Sequence, residues 1–169
     1  MQLYFLIPFL ALLSALTPLA VDMYLPAMPS IAGDFNVSIE LIQTTLSTYL
    51  LGFAVGQLFY GPLADSYGRR IVLLSGLAIY GIASVGIVYG ETIEQFRWLR
   101  LLQAIGGGAA SVVVSSLLRD LFSGSMFSKM MSYVVLSMTL APLVAPMLGA
   151  QLINWFSWHS IFVTLAILT

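Results

Sequence analysis

Two charged residues stand where a charge is expensive: Asp22, which closes the first long apolar run, and Arg100, which lies inside the fourth. Arg100 falls six residues past Glu94, roughly 9 Å deeper at about 1.5 Å per helical residue, so it reaches the level of Asp22 from the same side. A charged side chain at the centre of a membrane helix costs about 2.5–3.5 kcal/mol on insertion scales, and each therefore calls for a partner or a task. The pairing predicts that Asp22 and Arg100 share a cavity in the outer half of a membrane. The competing reading is an interfacial Asp22 and an Arg100 that snorkels outward along its apolar stem.

Gln103, three residues after Arg100, lies on the same helix face, and Gly106, Gly107 and Gly108 follow at once. Glycines in a helix cost stability, so the triplet implies close approach of another helix or of a ligand. Gln43, Thr44, Thr45, Ser47 and Thr48 either line a wet cavity with Tyr49 or bond to their own helix backbone. The single His, His159, sits beside Trp155 and Trp158 as in an interfacial aromatic belt, and Cys is absent. No metal site, nucleophile–base pair or other catalytic set can be assembled from what remains, which sets an enzyme last among the function classes.

The elements that must hold these residues are membrane helices. Of the 169 residues 60% are apolar and only 8% charged, whereas soluble domains carry about a quarter charged. A net charge of -1 provides no basic surface for nucleic acid. Five runs reach the roughly 20 residues that a spanning helix needs: residues 3–21, 41–60, 71–89, 96–118 and 130–153. A sixth starts near His159 and stops short at Thr169, which predicts a piece of a longer protein. The first run lacks a basic start and a cleavage pattern, and is expected to be a retained helix. Arg69 and Arg70 follow the second run, and Arg119 and Lys129 the fourth, so those ends are expected in the cytoplasm, and the N-terminus with them by alternation.

Packing signals follow the same division. Gly52 and Gly56 are four apart on the second helix, and Ala141, Ala145 and Gly149 repeat that spacing on the fifth. Pro142 and Pro146 each remove a backbone hydrogen bond and predict a bend there.

Between the second and third runs lies a polar stretch, Gly61-Pro-Leu-Ala-Asp65-Ser-Tyr-Gly68-Arg69-Arg70, expected as a membrane-surface loop. It resembles the signature loop of the major facilitator superfamily. Arg100-Leu-Leu-Gln103-Ala-Ile-Gly106 is similar to the fourth-helix motif of that superfamily's proton-coupled exporters. The flanking text from Val21 to Pro29, around Arg119-Asp120 and at Ser157-Trp-His-Ser-Ile-Phe162 resembles its bicyclomycin and chloramphenicol resistance (Bcr/CflA) subfamily.

The resemblance implies an all-α integral membrane protein of twelve helices in two six-helix halves, this chain being the N-terminal half with a truncated sixth helix. It further implies drug:proton antiport across the bacterial inner membrane, driven by the proton gradient with no cofactor, and a substrate site between the halves. Its partners would be the lipid bilayer, a small-molecule substrate and the other six-helix half. Carried onto matching positions, Asp22 is the proton site, tuned by Arg100 and oriented by Gln103. Asp65, Arg69 and Asp120 form a cytoplasmic charge cluster, with Gly61 and Gly68 allowing a tight backbone, so that the loop latches onto the missing half. The fifth-helix motif departs from the glycine-rich family pattern, reading Ala141-Pro142-Leu143-Val144-Ala145-Pro146-Met147-Leu148-Gly149-Ala150. An exporter of a natural metabolite and a non-transporting membrane protein are the alternatives.

Overall fold

A computed structural model describes residues 2–169, with side chains from residue 6 onward. Among these residues seven α-helices follow one another: α1 (Gln2–Asp22), α2 (Met28–Phe35), α3 (Ile39–Tyr67), α4 (Arg69–Val88), α5 (Ile93–Leu121), α6 (Gly124–Trp155) and α7 (His159–Ile167), with a 3-10 turn at Leu25–Ala27 before α2. Connections are a few residues long, and two helix starts carry side-chain caps. Ser38 accepts from the Leu41 amide at 3.4 Å ahead of α3, and Thr92 accepts from the Gln95 amide at 3.2 Å ahead of α5.

α5 is the centre of the bundle, with α3 and α4 packed along its two sides and α1 against a third; α1 in turn packs on α6, and α4 on α7. Successive residues of a helix point about 100° apart, so the glycine triplet serves three neighbours in turn. A Cβ on Gly106 would stand 2.6 Å from the Gly76 carbonyl and the Tyr80 amide of α4, one on Gly107 3.2 Å from Thr17 Oγ1 of α1, and one on Gly108 3.1 Å from the Gln57 amide of α3. The triplet is a three-way helix junction rather than a ligand contact. Gly52 and Gly56 do the same from the α3 side, where a Cβ would lie 2.7 Å from the Leu101 and Ile105 carbonyls. Gly149 lets α6 close on the end of α1, where a Cβ would run into the Met23 carbonyl. Such approaches replace the hydrophobic drive that lipid removes with backbone contact.

Several expectations are corrected. The stretch from Gly61 is not a loop: α3 continues through Pro62 to Tyr67, and only Gly68, at φ 88°, breaks the chain before Arg69 opens α4. Nothing between Gly61 and Tyr67 demands a non-helical conformation, whereas Gly68 adopts one that a Cβ would strain. Gly61 accordingly has no tight-turn role, and a Cβ there would meet nothing within 4 Å. The connection after α1 is itself partly helical, since α2 occupies its middle.

Among the described residues, four helical segments are long and apolar enough to cross a membrane: Leu6–Phe35, Arg69–Val88, Ile93–Leu121 and Gly124–Trp155. α3, which contains the second expected span, is long enough but falls outside that set, because Gln43, Thr44, Thr45, Thr48 and Gln57 dilute its apolar content. α6 runs unbroken through Pro142 and Pro146.

Candidate functional site

The side chains that sequence singled out divide between three places. The first is a sealed polar core around Arg100. The side chain is fully buried, 0% exposed, and sits between aromatic faces: its guanidinium carbon lies 4.2 Å from the Tyr49 ring centroid, 4.6 Å from Tyr24 and 5.7 Å from Phe162. Nη1 donates to Gln103 Oε1 at 2.7 Å and Nη2 to the Ala20 carbonyl at 3.4 Å. Gln103 Nε2 donates to Ser84 Oγ at 2.8 Å. No carboxylate touches it. A buried cation without a counter-charge is costly, and two features take the place of one.

Ala20 lies in the last turn of α1, where carbonyls run out of helical donors and the dipole carries about half a negative charge. The ring faces contribute further, with cation–π contacts worth up to about 2 kcal/mol when desolvated. Arg100 Nε and Tyr49 Oη, both buried, lack a hydrogen-bond partner. Tyr24 Oη pairs with Thr45 Oγ1 at 2.6 Å, which fixes its ring in the cage.

The second place is a cavity of about 260 Å³ between α1, α3, α5 and α6, lined by Asp22, Ser14, Thr17, Phe53, Ser111, Met138 and Pro142 among others. Asp22 is its one charged group. The expected sharing of one cavity by Asp22 and Arg100 is therefore overturned. Asp22 follows Ala20 by two residues, and about 200° of helical rotation turns it away from the side that Arg100 holds. Gln103 belongs with Arg100. Of the polar residues of α3, Thr44, Thr45 and Thr48 bond to backbone carbonyls of their own helix, at 2.7, 2.6 and 2.9 Å, and the cavity is walled by Phe53 instead. A larger groove of about 640 Å³, lined by Ile7, Pro8, Met126 and Lys129, holds none of the candidate residues.

The third place is the junction where α4 begins and α5 ends. Arg69 forms an ion pair with Asp120, and its Nη1 also donates to the Ser116 carbonyl near the C-terminus of α5. Asp65 is exposed and is not part of that pair, so only two of the three expected charges meet. Pro142 lines the cavity, and Ala141, Ala145 and Gly149 are buried along the same side of α6.

Sequence reasoning missed two features. Trp158 is 3% exposed, not a belt residue: its indole N–H donates to the Asp34 carboxylate, and it packs among Phe35, Phe96 and Phe162, with His159 stacked on it at 3.6 Å. Trp155, by contrast, is 72% exposed. Ser84 was not singled out, although one of only two serines in a largely apolar helix, level with the glutamine of α5, was a readable signal.

Long apolar helices joined by short turns, with a sealed arginine and a cavity carboxylate, define a multi-pass helical membrane protein. The family model described as Major Facilitator Superfamily matches residues 10–169, and the chain belongs to that superfamily. It is 42% identical to a bicyclomycin resistance protein homolog of Haemophilus influenzae over 94% of its length and 40% of the relative's. It is 40% identical to a chloramphenicol resistance protein of Pseudomonas aeruginosa over 90% of its length and 36% of the relative's. Against the multidrug resistance protein MdtL of Escherichia coli the identity is 38%, over 90% of this chain and 39% of that protein. The chain thus spans about 40% of the length of these relatives, at their N-terminal part. The resemblance read from the loop and fourth-helix motifs is borne out.

Proposed function

We propose that this chain is the N-terminal half of a proton-coupled exporter of drug-like or hydrophobic small molecules in the bacterial inner membrane. The observation that carries the reading is the cavity of α1, α3, α5 and α6, in which one carboxylate, Asp22, stands among hydroxyls of Ser14, Thr17 and Ser111 and apolar side chains such as Phe53 and Met138. Such a wall favours an amphipathic molecule, and its single acid can exchange a proton for that molecule. The names of the relatives from Haemophilus influenzae and Pseudomonas aeruginosa point the same way.

In this reading α3 also crosses the bilayer, giving five spans before α7. The Arg69–Asp120 pair draws the α3–α4 and α5–α6 junctions to one end of the bundle. With Arg70, Arg119 and Lys129 also at those junctions, that end is cytoplasmic, and so is the N-terminus. A second six-helix half closes the cavity, and the exposed Asp65 is free to meet the N-terminus of one of its helices as a latch, with Gly68 setting the turn beside it. Pro142 and Pro146 loosen α6 at the cavity wall. No cofactor enters; the proton gradient supplies the energy.

The test is Asp22→Asn in the full-length protein, measured as dye efflux from everted vesicles energised by a proton gradient. The substitution is expected to abolish proton-driven efflux while the protein remains in the membrane; undiminished efflux would remove Asp22 from the mechanism.

A further inference from the structure

We infer that Ser84, on α4, is a positioning residue: it fixes which way the Gln103 amide faces and thereby holds Arg100 on the end of α1. Its functional consequence rests on the exporter reading above. The two ends of an amide are alike in shape and opposite in hydrogen-bonding sense, so the surroundings must choose between them. A guanidinium only donates, and Arg100 Nη1 needs the carbonyl end, which it meets at 2.7 Å. Ser84 holds the other end of the amide to that choice. Its hydroxyl gives its one hydrogen to the Tyr80 carbonyl, at 2.8 Å, and is left an acceptor for Gln103 Nε2, also at 2.8 Å.

Turning the amide over would set N–H groups against the guanidinium and an oxygen against an oxygen. Ser84, Arg100 and Gln103 are all 0% exposed, so water cannot repair the mismatch. The backbones on either side are already in contact, with the Cβ position of Gly106 2.6 Å from the Tyr80 amide, which prevents the relay from drifting apart. Beyond Arg100 the chain of bonds ends on the Ala20 carbonyl, two residues before Asp22. A hydroxyl on α4 thus acts, through two side chains of α5, on the helix end that carries the cavity carboxylate.

The experiment is a double-mutant cycle in the full-length protein with Ser84→Ala, Gln103→Leu and the pair, read as melting temperature in detergent and as the pH profile of dye efflux. Ser84→Ala is expected to slow efflux about tenfold, the worth of one buried hydrogen bond, and to move the pH profile. Ser84→Thr, which keeps the hydroxyl, is expected to retain both. In the Gln103→Leu background Ser84→Ala is expected to change efflux by less than about twofold, because partners in one network are not additive. Full additivity, or a lowered melting temperature with an unmoved pH profile, would overturn the positioning role. If efflux by the unmodified protein ignores the proton gradient, the exporter reading fails instead. The melting-temperature cycle then decides alone, with coupling between the two sites supporting the positioning role and additivity overturning it.

Discussion

Two arginines in this bundle each sit at the C-terminal end of a neighbouring helix, and they are held by opposite means. Arg100 reaches the last turn of α1 at the Ala20 carbonyl, is 0% exposed and has no carboxylate beside it. Arg69 reaches the last turns of α5 at the Ser116 carbonyl, keeps 25% of its side chain exposed and pairs with Asp120. Water accounts for the difference. At the membrane surface an ion pair is cheap, screened and of small value, whereas inside the bundle an added carboxylate would need desolvating as well. The buried arginine is therefore matched by dipoles and ring faces. One consequence is that Asp22, two residues beyond Ala20, is left without a cationic partner and free to face the cavity.

The comparison breaks first at Arg100, where the largest effect is expected. If α1's end and the aromatic cage merely tolerate the charge, an apolar side chain of similar length should do as well for folding. Arg100→Met is expected to leave the melting temperature unchanged or higher, since replacing a buried charge by a packed apolar group is neutral or stabilising by about 1–4 kcal/mol in other proteins. Efflux by the full-length protein is expected to fall at least about a hundredfold, the equivalent of about 3 kcal/mol. Unimpaired efflux by that variant would reduce Arg100 to a packing residue. Arg100→Lys should also fail, because a point charge cannot bridge Gln103 and Ala20 as the planar fork does.

The cage sharpens the contrast next. Tyr49 presents its ring to Arg100 while its hydroxyl has no partner, so the face and not the oxygen does the holding. Tyr49→Phe is expected within about 0.5 kcal/mol of the parent, and Tyr49→Ala at about 3–5 kcal/mol of destabilisation. Tyr24→Phe should fall between them, at about 1 kcal/mol, through loss of the bond to Thr45. Melting curves in detergent rank the three, and equal losses for the two Phe variants would contradict the cage.

Much of this was legible in the sequence. Apolar runs placed the helices, and the spacing of Gly52, Gly56 and Gly149 named three close approaches that the backbone makes. The loop and fourth-helix motifs gave the superfamily. What stayed hidden depended on rotation about a helix axis and on partners far away in the chain. Depth alone put Asp22 level with Arg100, but the angle between Ala20 and Asp22 separates them. Polarity suggested a loop from Gly61 to Arg70, because charge marks the membrane surface equally well whether the backbone is helical or not. The burial of Trp158 turns on Asp34, 124 positions earlier, and no local pattern reports that pairing.

The smallest effect is expected at Arg69, and it tests the other half of the contrast. With Arg69 25% and Asp120 56% exposed, the pair is screened by water, and breaking it with Asp120→Asn should cost no more than about 1 kcal/mol and less still in high salt. Arg69→Ala removes in addition the donor to the Ser116 carbonyl, and should cost more than Asp120→Asn by the worth of one hydrogen bond, about 0.5–1.5 kcal/mol. Exchanging the two charges, Arg69→Asp with Asp120→Arg, should restore the ion pair but not that contact, because a carboxylate at position 69 has no hydrogen to donate to the Ser116 carbonyl. A charge swap as stable as the parent would show that the pair alone matters at this end. The likeness between the two arginines, both seated on helix ends, would then be lost.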